Sequence, residues 1–236
     1  MVFFAFLIAL VHVVCAALAL PPTFGLGDTV GTLEQYLKNV FSEPDEPPPG
    51  GGEGEDTGEG ESRLTDLERR IESEIPGVDD AYRSALPGRV QRSRQWRDVA
   101  RKSEEDNELP EGLLTAVVAV ESDGKPAAGS KYARGLAQFT VGTGKEYGLD
   151  ITDPKSDDPA KDQRLDPVRS IEAAGKYYKW LLARADGNVE AAHIMYNYGP
   201  GAYRKWLKDP NRKLPTETQG HLAKLRAVRA YMKENP

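Results

Sequence analysis

Residues 109–122 read Leu-Pro-Glu-Gly-Leu-Leu-Thr-Ala-Val-Val-Ala-Val-Glu-Ser, and they decide the architecture. Pro110 and Glu111 suit a first helical turn, where a missing N–H is harmless and a carboxylate meets the positive dipole end. Leu113, Leu114, Ala116, Val117, Val118, Ala119 and Val120 are apolar around the whole circumference, so this helix should be enclosed by others. It runs into Asp123-Gly124, with Gly124 as the expected C-cap. Glu121 therefore follows a run of hydrocarbon at the negative end of a buried helix, with no Lys or Arg in the preceding turn. Desolvation disfavours its anion, and the helix terminus disfavours it further. A carboxylic acid held in its protonated form is what general-acid chemistry requires.

The flanking sequence is also helical in pattern. A helix from Ser62 carries Leu64, Leu67, Ile71 and Ile75 and stops at Pro76-Gly77; a basic one is expected from about Arg89 to Lys102. Residues 127–149 are rich in glycine and predict a loop or short hairpin, then a helix capped at Thr140 or Thr143. Asp166-Pro167 opens a long helix, and Asn188 caps another that ends in Tyr196-Asn197-Tyr198-Gly199-Pro200-Gly201. Thr216-Glu217-Thr218-Gln219 has capping-box spacing ahead of a last helix bearing Leu222, Leu225, Val228 and Met232. No sustained strand alternation is present, so the body, residues 63–236, is mainly α.

Charge divides the chain in two. Residues 1–62 hold one basic and ten acidic side chains; residues 63–236 hold thirty basic and twenty-seven acidic. Residues 43–62 contain eight carboxylates, six glycines, four prolines and no apolar side chain, so nothing there offsets the entropy of ordering, and a disordered acidic linker is expected. Residues 1–20 are uncharged and almost wholly apolar, which suits either a transmembrane anchor or a cleaved signal peptide, and so a membrane partner. Residues 21–42 include a short amphipathic segment with Leu33, Tyr36, Leu37, Val40 and Phe41. A single cysteine excludes an internal disulfide. Three widely spaced histidines, without HExxH or a Cys/His cluster, argue against a metal. No GxxxxGK[ST] or GxGxxG supports a nucleotide cofactor, and the basic excess of three lacks the aromatic ladder of a nucleic-acid surface.

Four stretches stand in one order: Glu121-Ser122; Ser130 followed by Gly135-Leu136-Ala137-Gln138; Tyr196-Asn197-Tyr198-Gly199-Pro200-Gly201; and Glu217-Thr218-Gln219. Over about residues 93–233 this resembles the catalytic domain of the soluble lytic transglycosylases, relatives of goose-type lysozyme. The resemblance implies a lysozyme-like α+β fold, no cofactor, and peptidoglycan glycan strands as partner. It further implies cleavage of the β-1,4 bond between N-acetylmuramic acid and N-acetylglucosamine with formation of a 1,6-anhydro product.

By the same resemblance Glu121 is the catalytic acid, Ser130 orients it or the substrate, Gln138 and Asn197 bond sugar amides and hydroxyls, and Tyr196 sits beside Glu121. An ordinary glycosidase needs two carboxylates. Asp123, Glu146 and Asp150 lie in polar surroundings, so one acid working with the sugar's own 6-hydroxyl is the simpler expectation, with a hydrolase or a non-catalytic glycan-binding scaffold as alternatives. Two positions depart from the family. Ala137 replaces a methionine, taking an apolar wall from the cleft, and His221 stands where a tyrosine often follows, in a position to bond the acid and to move the pH profile. The expected setting is the exported side of a cell envelope, within a secretion or conjugation apparatus, or a phage virion; protein partners are not legible.

Overall fold

In the computed structural model, residues 59–236 are described. The segments expected at 1–20 and 21–42, and most of the linker, lie outside that range. Among the described residues no helix is long and apolar enough to cross a membrane.

The centre is α4, Leu113–Ser122, preceded by α1 (Glu59–Glu74), α2 (Asp80–Arg94) and α3 (Arg97–Asn107). Leu113 to Val120 are all buried, and α4 packs against α2, α3, α6 (Pro167–Arg184) and α9 (Thr216–Glu234). An all-round apolar helix thus finds partners on every side, and each buried Leu or Val contributes about 1.5–3 kcal/mol relative to exposure. Between α4 and α6 lie the short α5 (Val141–Glu146) and a 3₁₀ turn at Gln163–Leu165. This lobe holds three isolated antiparallel bridges, Gly129–Arg134, Arg134–Phe139 and Ile151–Asp162, in place of full strands. After α6 come α7 (Val189–Tyr198) and α8 (Pro200–Lys208), then α9. The molecule is mainly α with a minimal β-like lobe, as expected.

Several caps follow the sequence. Asp166 accepts from the Arg169 N–H with Pro167 opening α6, Asn188 accepts from the Ala191 N–H to start α7, and Thr140 accepts from the Thr143 N–H to start α5.

Other expectations are corrected. The first helix begins at Glu59, inside the stretch read as linker. The basic helix expected over 89–102 is two helices, broken at Gln95-Trp96, where the Trp96 indole N–H donates to the Gly124 carbonyl (3.1 Å) and pins the turn to the end of α4. The start of α4 is capped from afar. Buried Glu104 of α3 accepts from the Gly112 and Leu114 N–H groups at 2.9 and 2.6 Å, while Glu111 is exposed. No capping box forms at α9: its N-cap is Pro215, and Gln219 donates to the Leu214 carbonyl.

The β-like lobe is held by a buried ion cluster. Arg164 makes a two-pronged contact with Asp162 (2.8 and 2.6 Å) and donates to the carbonyls of Phe139 and Pro154. Gly135 makes the approach possible: it sits at φ +83°, and a Cβ there would lie 1.6 Å from the Arg164 carbonyl oxygen.

Candidate active site

Glu121 lies in the last turn of α4, its side chain only 8% exposed. The helix closes with Asp123 in the left-handed conformation (φ 58°), so the cap expected at Gly124 falls one residue earlier. Gly124 is also left-handed, and a Cβ there would meet the Arg92 backbone at 2.7 Å. Asp123 is committed to this corner by Arg92, Lys125 (2.9 Å) and Arg89 (3.7 Å). Burial alone would raise its pKa, but hydrogen bonds from Lys125 and Arg92 and the charges of Arg89 and Arg92 outweigh it and hold the carboxyl below the usual range. Asp123 is therefore a structural anion. Glu146 and Asp150 are exposed.

The Glu121 Oε1 atom is buried and has no hydrogen-bond partner. Its neighbour is the Nδ1 atom of His221, on α9, at 3.6 Å. Burial first, and then the Glu121 charge, push the Tyr196 and Tyr178 phenols well above the usual range, which places both rings in the electrostatic field of that carboxylate. Tyr196 is thus among the groups that the Glu121 charge reaches. Its ring stacks on Tyr178 (4.9 Å between centroids), leans on Tyr177 (5.3 Å), and its hydroxyl donates to the Ala137 carbonyl. Ala137 is fully buried, so the missing methionine is a core position and not a cleft wall.

Asn197, the next residue on α7, accepts at Oδ1 from the Thr218 hydroxyl (2.7 Å), which leaves its amide N–H₂ for another partner. Thr218 is buried, and this bond joins two sequence motifs twenty-one residues apart. Gln138 stands at φ 48° in a turn, its amide N–H₂ donating to the carbonyls of Ala128 (3.1 Å) and Gly135 (2.8 Å), so only its Oε1 is uncommitted by these bonds. Ser130 is exposed, and its Oγ accepts from the N–H groups of Tyr132 and Ala133 at 3.2 and 3.1 Å; this is a turn-forming role, without a hydrogen bond to Glu121.

Two residues enter that were not among the sequence's candidates. His193 is fully buried, with Nδ1 bonded to the Tyr178 hydroxyl at 2.7 Å. Burial, and then the neighbouring His221, depress its pKa to about 3; the His221 backbone carbonyl pulls the other way too weakly to reverse this. The histidines that read as widely spaced thus converge: a ligand atom from each of Glu121, His193 and His221 lies within 4.8 Å of the others. Tyr82 of α2 also faces this region. Its hydroxyl is buried without a partner, and burial pushes it up to about 12, with the charges of Asp123 and Glu121 adding to the rise and Arg89 opposing it.

The described residues include a segment, 98–218, that matches the model of the transglycosylase SLT domain and amounts to just over half of the chain. The peptidoglycan transglycosylase gp16 of Escherichia phage T7 is 38% identical over 101 residues, which is 42% of this chain and 7% of that protein. Among solved structures, the 70 kDa soluble lytic transglycosylase SLT70 of Escherichia coli superposes with a TM-score of 0.50 at 25% identity, over 59% of this chain and 24% of that one. An inactive glutamate-to-glutamine mutant of the lytic transglycosylase Slt from Pseudomonas aeruginosa does so with the same score and identity, over 60% and 25%. The chain thus spans a small part of one relative and about a quarter of the other two. With a buried glutamate ending its central helix and a family-model match over more than half of its length, the chain belongs to the transglycosylase SLT domain family.

Proposed function

We propose that the chain is a peptidoglycan lytic transglycosylase in which Glu121 alone serves as acid and then base. The observation that carries this is the Glu121 carboxyl itself: buried, with one oxygen free of any hydrogen bond, inside the segment matched by the family, and with its charge felt at Tyr196. Glu121 protonates the glycosidic oxygen as the bond from C1 breaks, so the leaving sugar departs as an alcohol. The resulting carboxylate then takes the proton from the 6-hydroxyl of the same muramic residue. That oxygen closes on C1, giving the 1,6-anhydro ring without consuming water. Asn197, steadied by Thr218, and Gln138 hold the sugar's polar groups.

A water-activating second carboxylate finds less support, because Asp123 is occupied by three cations and Glu146 and Asp150 are exposed. The setting we infer is wall opening by a phage particle, since one relative is a phage T7 protein. Glu121→Gln keeps volume and polarity but has no proton to give. Release of soluble fragments from purified sacculi should fall by about 10²–10⁴-fold while the circular-dichroism spectrum stays unchanged. Wild-type rates in this variant would reject the mechanism.

A further inference from the structure

Glu121 Oε1, His193 Nε2 and His221 Nδ1 are buried, each can offer a lone pair, and none has a partner within normal hydrogen-bond geometry, although the His221 backbone lies near His193. They come from three different helices, α4, α7 and α9, and two of them belong to the chain's only three histidines. Orphaned buried polar atoms are costly, and a native site that gathers three of them has a partner to offer them.

We propose that Glu121, His193 and His221 form a transition-metal site suited to Zn²⁺, and that the bound ion silences the enzyme by taking the carboxylate that would deliver the proton. The inhibitory half rests on the functional reading above; the site does not. Two imidazoles and one carboxylate are a zinc-type donor set, whereas Ca²⁺ and Mg²⁺ call for oxygen ligands throughout. Bonds of about 2.0–2.1 Å in a tetrahedron put ligand atoms roughly 3.3 Å apart. The Glu121–His221 pair, at 3.6 Å, is already near that spacing. A ligand atom of each residue lies within 4.8 Å of the others, so a modest turn of His221, whose side chain is 20% exposed, would bring the three to that spacing. The outer support is present as well. His193 is fixed through Nδ1 to the Tyr178 hydroxyl, the kind of second bond that metal-ligating histidines use to aim the opposite nitrogen. Three protein ligands leave a fourth position for water. Coordination needs the carboxylate and neutral rings, so the ion expels the proton that glycan cleavage requires.

The test uses the full chain, stripped with EDTA and titrated with ZnCl₂ and separately with CoCl₂. The expected result is one ion per chain by calorimetry, a visible Co²⁺ absorption of the intense tetrahedral type, a higher Tm, and at least a tenfold loss of glycan release that EDTA restores. His221→Gln and Glu121→Gln should each weaken Co²⁺ binding tenfold or more; His193→Gln is a third arm, and if it fails to fold the other two decide. Absent binding, or equal affinity in His221→Gln and Glu121→Gln, overturns the site. Binding with the expected absorption in a chain that never cleaves glycan would sustain the site and count against the activity instead.

Discussion

Thr218 shows how the site depends on single atoms. Among the described residues its hydroxyl alone hydrogen-bonds the Asn197 side chain, so the amide's orientation rests on it. Thr218→Val keeps the shape and strands the half-buried Asn197 oxygen, at a cost of about 1–3 kcal/mol. If Asn197 positions the glycan, steady-state assays on soluble glycan strands should show a raised KM as well as the lost stability; an unchanged KM would confine Thr218 to folding. Glu121 was readable from the helix that carries it, because seven apolar residues and a terminus are local facts. His193 was not. Its closeness to Glu121 and His221 arises only when α7 and α9 dock, which brings together two histidines twenty-eight residues apart, and nothing in its own neighbourhood hints at that.

At the scale of elements, the helix that positions the acid is held by groups remote in sequence. Glu104 caps α4 from α3, and burial is strong enough to raise its pKa despite the hydrogen bonds from Gly112, Leu114 and Thr115. Glu104→Ala should cost about 2–4 kcal/mol by urea unfolding, since two buried N–H groups lose a charged acceptor. A loss below 1 kcal/mol would mean water replaces it. The loop carrying Gln138 answers to Gly135. Gly135→Ala drives a Cβ into the Arg164 carbonyl and should destabilise by at least about 3 kcal/mol, loosening the carbonyl that Gln138 holds. Caps written in adjacent residues, at Thr140, Asp166 and Asn188, were legible. The Glu104 cap, the Gln95-Trp96 break and α8 were not, because each depends on a partner from another element: Gly112 and Leu114, Gly124, and, for Trp206 of α8, the Glu74 carboxylate of α1 (3.1 Å).

Across the whole molecule, fold class followed from one apolar helix and the absence of strand alternation, and two of the motif regions meet directly, through the Thr218 bond to Asn197. What composition could not supply is the buried ion cluster of the β-like lobe. Burial alone would raise the pKa of Asp162, but the side-chain hydrogen bond, charge and backbone N–H of Arg164, with the charge of Arg134, outweigh it and hold the carboxyl below its usual 3.8. A folded-state pKa below the unfolded one stabilises the fold above the unfolded value, and the benefit is lost as pH falls through the folded value. The urea midpoint should therefore drop on going from about pH 5 to about pH 3, and drop less in Asp162→Asn; equal slopes would remove Asp162 from the acid response.

The most direct test of the central claim is the mass of the glycan fragments released from purified sacculi by the full chain. A single acid assisted by the substrate's own 6-hydroxyl predicts ends that are one water lighter than reducing sugars, and none from Glu121→Gln. Fragments carrying ordinary reducing ends would contradict it.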